Sequence, residues 1–423
     1  MKLLAVTYVM PPIQYPAALC YMKLAIGLHN LGTNIEVLCV DPTRYRTPGK
    51  IMLDNQLANI LPSTLRMTRI VSPETNMLHR FINRNKWLKL LFFPLTEPVK
   101  REWVNAAIRH LGNRDISDTD IVLTCSQPHA NHLVGLWLRR KMRLPWAAYF
   151  SDPWVDNIYW QGRSNPILYA YHERLERMVV TEADILLFTS QEAADLVMRK
   201  YAESLQIKVG IIPHAYVSEW YVGEKNQLEQ VAHKKIRLVH IGHFYGPRSP
   251  IPFVEALRES GIKDIDLIFI GNMEDCHRLR IQNMGLDQHV HLESSVPYLD
   301  SLQAMREANW LLLIDAVSDQ EFSPFLPSKL IDYLGAGKRI LGVTSEHGTS
   351  SRVLKKYGHR VANIKDRASL IQALHDVVKS GPVGNLRPPQ EYSLDNVAAE
   401  MNKYLVTANA RAHRDRNFGG RVD

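Results

Sequence analysis

The sequence predicts an α/β protein built as two parallel-sheet domains, on three observations. Strand-like and helix-like patterns alternate from end to end, which argues for parallel sheets joined by crossover helices. At 423 residues the chain exceeds what one hydrophobic core usually holds. The polar stretch VGEKNQLEQVAHKK, residues 222–235, interrupts the alternation, and a fresh α/β run starts directly after it. This reading assigns 1–221 to a first domain, 222–235 to a linker and 236–385 to a second domain. Residues 386–408 form a closing connection and helix, and 409–423 a basic tail expected to be disordered.

The first domain opens with a strand at 2–9, a Pro-rich loop at 10–16 and a helix at 17–31. In that helix Leu19, Met22, Leu24 and Leu28 are among the apolar positions before Gly32 closes it. A strand at 35–40 ends at Asp41-Pro42. G-x-G-x-x-G is missing here, so the dinucleotide fingerprint is absent. Residues 55–97 read as irregular. Within them MLHRFINRNKWLKLLFFPL, from Met77 to Leu95, mixes Arg80, Arg84, Lys86 and Lys89 with Phe81, Trp87, Leu90, Leu91, Phe92 and Phe93. That composition fits a basic amphipathic segment lying on an anionic membrane surface. It also fits an insertion packed on its own domain with a solvated basic side.

Helices at 98–111, 129–142, 166–181 and 191–201 then alternate with strands at 120–125, 146–150, 185–189 and 208–212. These strands run into loops carrying Asp, His, Ser or Asn, including Ser151-Asp152-Pro153-Trp154. Ligands of open parallel sheets sit at such carboxyl ends. In the second domain strands are expected at 236–241, 265–270, 290–292, 310–314, 339–343 and near 361–364. Their loops include GHFYGPRSP (242–250), Gly271-Asn272 and residues 294–297. A Pro-rich connection at 386–392 leads to an amphipathic helix at 394–405.

The stretch that points most directly to chemistry is PFLPSKLIDYLGAGKR, residues 324–339, between the strands WLLLI and RILGV. Pro327 suits the first turn of a helix, Leu330, Ile331 and Leu334 make its apolar face, and Gly335 and Gly337 end it. A short helix starting at the carboxyl end of a parallel strand offers free backbone N–H groups and a positive dipole end. Ser328 and Lys329 fall in its first turn, with Asp332 one turn on. Such a set suits a nucleotide diphosphate: N–H groups, hydroxyl and ammonium for phosphate, a carboxylate for ribose. An ordinary crossover helix with a solvated Lys and Asp explains the same residues.

Composition narrows the partners. The net charge of +8 and pI near 9.2 suit anionic ones: nucleotides, nucleic acid or an anionic membrane. The Lys and Arg are spread along the chain without a basic-aromatic module, which disfavours nucleic acid. No apolar run reaches the roughly 18 residues of a membrane span. MKLLAVTYVMPP imitates a weak signal peptide but breaks at Pro11-Pro12 without a cleavage site, so a first strand is preferred. Cys20, Cys39, Cys125 and Cys276 have no paired spacing, which suits a reducing, cytoplasmic setting. Asp118-Thr119-Asp120 and Asp264-Ile265-Asp266 spell D-x-D but abut strand starts, so no metal is expected. His129 and His132 open a helix and read as local structure before acceptor contacts.

In order and spacing, SQPHANHLVGLWLRRKMRLPWAAYFSDPW, ERLERMVVTEADILLFTS, KVGIIPHAY, LVHIGHFYGPRSPIPFVEAL, LIFIGN, SSVPYLDSLQAMREANWLLLID and PSKLIDYLGAGKRIL resemble the GT-B glycosyltransferases. The likeness is greatest to the retaining glycosyltransferase family 4, in its bacterial surface-polysaccharide branch. The resemblance implies two facing Rossmann-like domains, with a C-terminal helix crossing back to the first. It implies a metal-independent retaining hexosyltransferase, peripheral at the inner membrane face. A sugar would move from a nucleotide-sugar donor to a glycan or lipid-linked acceptor, and no cofactor is needed. Arg248 and Lys329 would grip the departing diphosphate, where charge builds on phosphate oxygens. Asp332 would take ribose hydroxyls. Gly242, His243 and Ser328 would line the phosphate and sugar site, and Gly271, Asn272, Val296 and Pro297 the base. Asp152 would face the reacting sugar from the first domain.

Departures from the family pattern are specific. The acid expected eight residues before Asp332 is Pro324, with Glu321 off register. The His or Arg before the first-domain Asp is Ser151. QYPAAL replaces the Gly pair of the first loop, and RSPIPF follows Arg248 where a Lys is usual. Two rival readings follow: a catalytically reduced nucleotide-sugar-binding or scaffold protein, and a nucleotide-sugar epimerase or phosphorylase on the same architecture.

Overall fold

The structure is a computed structural model that describes residues 1–44, 52–72, 100–221, 235–244, 246–316, 322–382 and 384–418. The stretch from Met77 to Leu95 and the linker 222–235, apart from Lys235, lie outside the described residues. The chain divides into two compact units. The first comprises Met1–Pro213 and Asp395–Asp423, the second His214–Leu394.

In the first unit a seven-stranded parallel sheet runs Arg66–Ile70, Asn34–Val40, Lys2–Val6, Ile121–Cys125, Trp146–Phe150, Ile185–Phe188, Val209–Ile211. Central strands are buried along their whole length, as parallel strands covered by helices on both faces must be. Helix Asn131–Met142 lies close on the sheet because Gly135 has no Cβ: one placed there would stand 2.3 Å from Trp146 Nε1. Trp146 Nε1 in turn donates to Thr124 Oγ1 (2.8 Å), which pairs with His132 Nδ1 (2.8 Å), so a buried indole and hydroxyl bond to one ring nitrogen, while His132 Nε2 has no partner among the described residues.

The second unit holds a six-stranded parallel sheet. Its order is Val290–Glu293, Ile265–Ile270, Ile236–Ile241, Trp310–Ile314, Arg339–Thr344, Arg360–Asn363. Its core gathers Leu238, Phe253, Leu267, Leu312 and Leu341. In each sheet the strand order reverses beside the first strand of the unit. In unit 1 this is between Lys2–Val6 and Ile121–Cys125, in unit 2 between Ile236–Ile241 and Trp310–Ile314. Such reversals open a crevice at the strands' carboxyl ends.

Several expectations shift. Residues 55–97 are not irregular throughout: Asn55–Ile60 is helical and Arg66–Ile70 is the edge strand of the first sheet. RMTRI hides this role because an edge strand keeps charged residues. Residues 214–221, read with the first domain, belong to the second unit. There Tyr216 N donates to Tyr392 O (2.9 Å) and Leu394 N to Tyr216 O (2.8 Å). The last helix joins unit 1, where Tyr404 packs on Gly210, and it continues as Leu394–Phe418 through most of the stretch expected to be a disordered tail. Among the described residues no helix is long and apolar enough to cross a membrane.

Candidate functional site

In unit 2 the site forms where the sheet order reverses. Strand Ile236–Ile241 ends at Gly242, whose φ of +132° is open to glycine. A Cβ on Gly242 would stand 2.4 Å from Lys329 Nζ, so the missing side chain is what lets the ammonium reach the backbone. Gly271 ends the neighbouring strand at φ +145°, and a Cβ there would meet Gly242 O at 2.3 Å. Gly242 N donates to Ile270 O (2.9 Å) and Gly271 N to Glu293 O (3.1 Å), which sets the three strand ends side by side.

Helix Ser328–Gly335 approaches these ends from the strand Trp310–Ile314. Tyr333 fixes it there: the fully buried hydroxyl accepts from Ile241 N at 2.8 Å. Pro327 caps the helix rather than starting it, in extended conformation, and Ser328 and Lys329 form the first turn. At the other end the two glycines divide the work. Gly337 takes the left-handed conformation (φ +67°), whereas Gly335 is helical and makes room for Tyr216, 2.7 Å from where its Cβ would be.

Lys329 is the unusual group. Its ammonium is buried and has no hydrogen-bond partner among the described residues. Burial, then the nearby Arg248 guanidinium, push its pKa well below the ordinary value, with Asp315 opposing weakly. His243 lies under the same two cations, and burial together with Lys329 and Arg248 lowers its pKa. Asn272 N donates to His243 Nδ1 (2.9 Å), so the neutral ring carries its hydrogen on Nε2. His240, fully buried, pairs through Nδ1 with Leu312 O (2.9 Å) and stacks on Phe244. The arrangement is a cluster of cationic and N–H groups at the carboxyl ends of three strands. It contains an ammonium without a hydrogen-bond partner among the described residues, which is the chemistry of an anion site.

Gly242, His243, Arg248, Gly271, Asn272, Ser328 and Lys329 are thus brought to one region of unit 2. Val296 and Pro297 follow the adjacent strand Val290–Glu293 and are half-buried, with Pro297 capping helix Tyr298–Glu307. Asp332 is placed otherwise than expected. It is buried, and its Oδ1 accepts from Tyr298 Oη (3.0 Å) and Tyr221 Oη (3.4 Å). Tyr221 Oη also stands 3.0 Å from the Asp332 backbone O, so the two tyrosines hold this residue inside the unit. Pro324 O accepts from Thr349 Oγ1 (3.0 Å), so the position where the family carries an acid is used for structure.

Asp315 was not singled out by sequence reasoning. It directly follows WLLLI, is buried, accepts from Thr344 Oγ1 (2.7 Å) and acts electrostatically on Lys329. Its place at the end of a buried strand was the available signal.

In unit 1 Asp152 follows strand Trp146–Phe150 and accepts from Gln127 Nε2. Ser151 knits the strand ends together: its N donates to Ser126 Oγ (3.0 Å), its Oγ to Ser126 O (2.9 Å), and Thr189 Oγ1 donates to its O (3.0 Å). Below this loop the fully buried Glu176 accepts from Val155 N (3.1 Å), Lys200 Nζ (2.7 Å) and Tyr201 Oη (2.7 Å). Lys200 also bonds Asp156 (2.6 Å). A cavity of about 370 Å³ opens beside Gln127. His129 lines it, whereas His132 is buried in the structural network described above.

The D-x-D residues serve strand entry. Asp120 accepts from Lys2 N (2.6 Å), Asp118 pairs with Lys2 Nζ, and Asp266 pairs with Lys235. Elsewhere, on an exposed turn of unit 2, ligand atoms of Glu274, Cys276 and His277 lie within 4.8 Å of one another.

No family model matches the chain, and no curated protein matches it. Solved structures do. HepE of Anabaena, solved with UDP and glucose, is 12% identical with a TM-score of 0.62, covering 99% of both chains. Sucrose-phosphate synthase of Thermosynechococcus elongatus is 12% identical at TM-score 0.63, covering both chains fully. A Listeria monocytogenes protein assigned as a UDP-N-acetylglucosamine 2-epimerase is 11% identical at TM-score 0.56, covering 95% of this chain and 94% of that one. The likeness shows the fold: two Rossmann-like α/β units of the GT-B type.

Proposed function

We propose that the chain is a retaining glycosyltransferase. It takes a nucleotide-sugar donor in unit 2 and passes the sugar to a glycan or lipid-linked acceptor in polysaccharide building. The observation that carries this reading is the buried, unsatisfied ammonium of Lys329 against Gly242, with Arg248 and the Nε2–H of His243 beside it. A donor's pyrophosphate would complete that bonding. When the bond between the anomeric carbon and the phosphate oxygen breaks, its electron pair stays on the phosphate. Fixed cations there stabilise the leaving group more than the bound donor. In a retaining transfer the acceptor hydroxyl attacks from the leaving group's face and its proton passes to the departing phosphate oxygen, so no protein base is needed at that step.

Ser328 and the first-turn N–H groups add phosphate contacts. Asn272, Val296 and Pro297 flank the base. Asp332 is omitted from ribose binding because its carboxylate is buried on two tyrosines. The solved complex of HepE with UDP and glucose makes a uridine nucleotide the first probe. Thermal-shift titration with UDP, GDP, ADP and TDP tests the reading. One of them should raise the melting temperature of the wild type and not of Lys329→Ala, since a ligand at 100 times its Kd adds about 2.7 kcal/mol. No shift with any nucleotide would remove the donor site and the transfer with it. The likeness to the Listeria protein favours a second reading, epimerisation. It predicts conversion of UDP-N-acetylglucosamine without an acceptor, which the transferase reading does not.

A further inference from the structure

The cavity in unit 1 has its own chemistry. It lies where the first sheet reverses, beyond strands Lys2–Val6, Ile121–Cys125 and Trp146–Phe150, and is walled mainly by rings, among them Tyr8, Trp154 and Trp160. Aromatic walls with few polar groups suit a ring-shaped ligand that presents C–H faces to them.

Two histidines complete the wall. Trp154 Nε1 donates to His172 Nδ1 at 3.0 Å, which fixes the neutral tautomer with its hydrogen on Nε2. His172 is 4% exposed, and that Nε2 donor has no hydrogen-bond partner among the described residues. Burial holds its pKa down to about 4, so it stays a neutral donor at physiological pH. His129 Nε2 is likewise buried without a partner. Buried donors of this kind are satisfied in nearly all native structures, by protein, ordered water or ligand. Charge narrows the ligand further. Lys100, whose ammonium stands 4.4 Å from the centre of the Tyr8 ring, lines the cavity, and no carboxylate does among the described residues.

We propose that this cavity binds a sugar ring bearing an anionic group. A ring oxygen or hydroxyl would accept from His172 Nε2, the ring faces would lie on Trp154 and Trp160, and the anion would pair with Lys100. Naming this sugar as the acceptor's end rests on the transferase reading; the cavity's selectivity does not.

The test titrates the full chain with methyl glucuronide, glucose 6-phosphate and methyl glucoside, read by tryptophan fluorescence and ligand-observed NMR. The two anionic sugars separate a carboxylate from a phosphate as the charged group. At least one should bind tenfold or more tighter than methyl glucoside, and Lys100→Met, at the cavity wall, should erase the difference. His172→Phe keeps a ring but removes the donor, and should weaken every sugar at least fivefold. The inference is overturned if all three sugars bind alike, if none binds, or if Lys100→Met leaves the preference intact. UDP binding, followed in parallel by thermal shift, keeps the two readings separate. Sugar selectivity without a shift from UDP, GDP, ADP or TDP leaves this inference standing and sinks the transferase, and the converse result does the opposite.

Discussion

Replacing Lys329 by Met separates a functional ammonium from a structural one. Met keeps most of the unbranched stem that runs past Gly242 but removes the buried charge. That charge has no hydrogen-bond partner among the described residues and lies beside Arg248. Asp315 offsets that charge only in part, so removing it relieves a desolvation cost. The apo melting temperature should therefore hold or rise. Turnover should fall, because the departing phosphate loses one charge-assisted donor of about 2–4 kcal/mol, or roughly 30- to 1000-fold in rate. The pH dependence adds a sign. The folded-state pKa of Lys329 lies well below its ordinary 10.5, so between the two the unfolded chain holds the extra proton. Stability contributed by this group then rises with pH across that window, and the slope vanishes in Lys329→Met. UDP binding, by raising the pKa again, should take up protons, which calorimetry in buffers of different ionisation enthalpy detects. A variant that melts lower than wild type while keeping its UDP shift would refute this account of Lys329.

Four further outcomes follow from the same geometry. Gly271→Ala should destabilise by about 1–3 kcal/mol in chemical denaturation, since φ +145° and the Gly242 carbonyl at 2.3 Å leave no room for a methyl group. Full stability would mean the two strand ends part easily. Lys200→Met should cost about 3–5 kcal/mol by leaving Glu176 buried without its cation, whereas the exposed Lys403→Met serves as a near-neutral control. Tyr298→Phe should cost about 1–3 kcal/mol by taking a donor from the buried Asp332 carboxylate, without changing UDP affinity; a large affinity loss would return Asp332 to the ligand site. His172 and His359 have pKa values held down to about 4 by burial, and His132 to about 3. Below pH 6.5 the unfolded chain binds protons that these rings refuse, so each withdraws about 1.4 kcal/mol per pH unit down to its own value. Denaturant midpoints should therefore fall steadily from pH 6.5 to 4, and a flat profile would show the rings to be solvated.

Much of the fold was legible because parallel strands buried on both faces announce themselves as apolar runs, as WLLLI and WAAYF do. The edge strand RMTRI was not, since its exposed side carries arginines and its pattern resembles a loop. The clustering of Gly242, Gly271, Ser328 and Lys329 was legible through position: all stand at strand ends or a helix start, where backbone geometry demands small or polar groups. Asp332 misled because spacing along a helix tells which residues share a face, not whether that face meets a ligand or two tyrosines from distant loops. The Glu176, Lys200 and Asp156 network was beyond reach for the same reason. Its members are dozens of residues apart and only the loop's path joins them.

What the two units share is where they leave polar groups unfinished. Folding normally satisfies every buried donor and acceptor, and each exception costs stability. Some exceptions are scattered singly, such as Ser350 Oγ and His289 Nδ1. Others concentrate at the two strand-order reversals: Lys329 Nζ and His240 Nε2 in unit 2, His129 Nε2 and His172 Nε2 in unit 1. Three of these are held by a well-bonded neighbour, Tyr333 on the helix of Lys329, Leu312 O on His240, Trp154 on His172. A group that is rigidly positioned and yet unsatisfied among the described residues is a place where a ligand or a water can complete a bond. The unit 2 deficit is cationic and the unit 1 deficit is a neutral donor among rings. The two deficits differ in chemistry, one suited to an anion and the other to a hydroxyl-bearing ring.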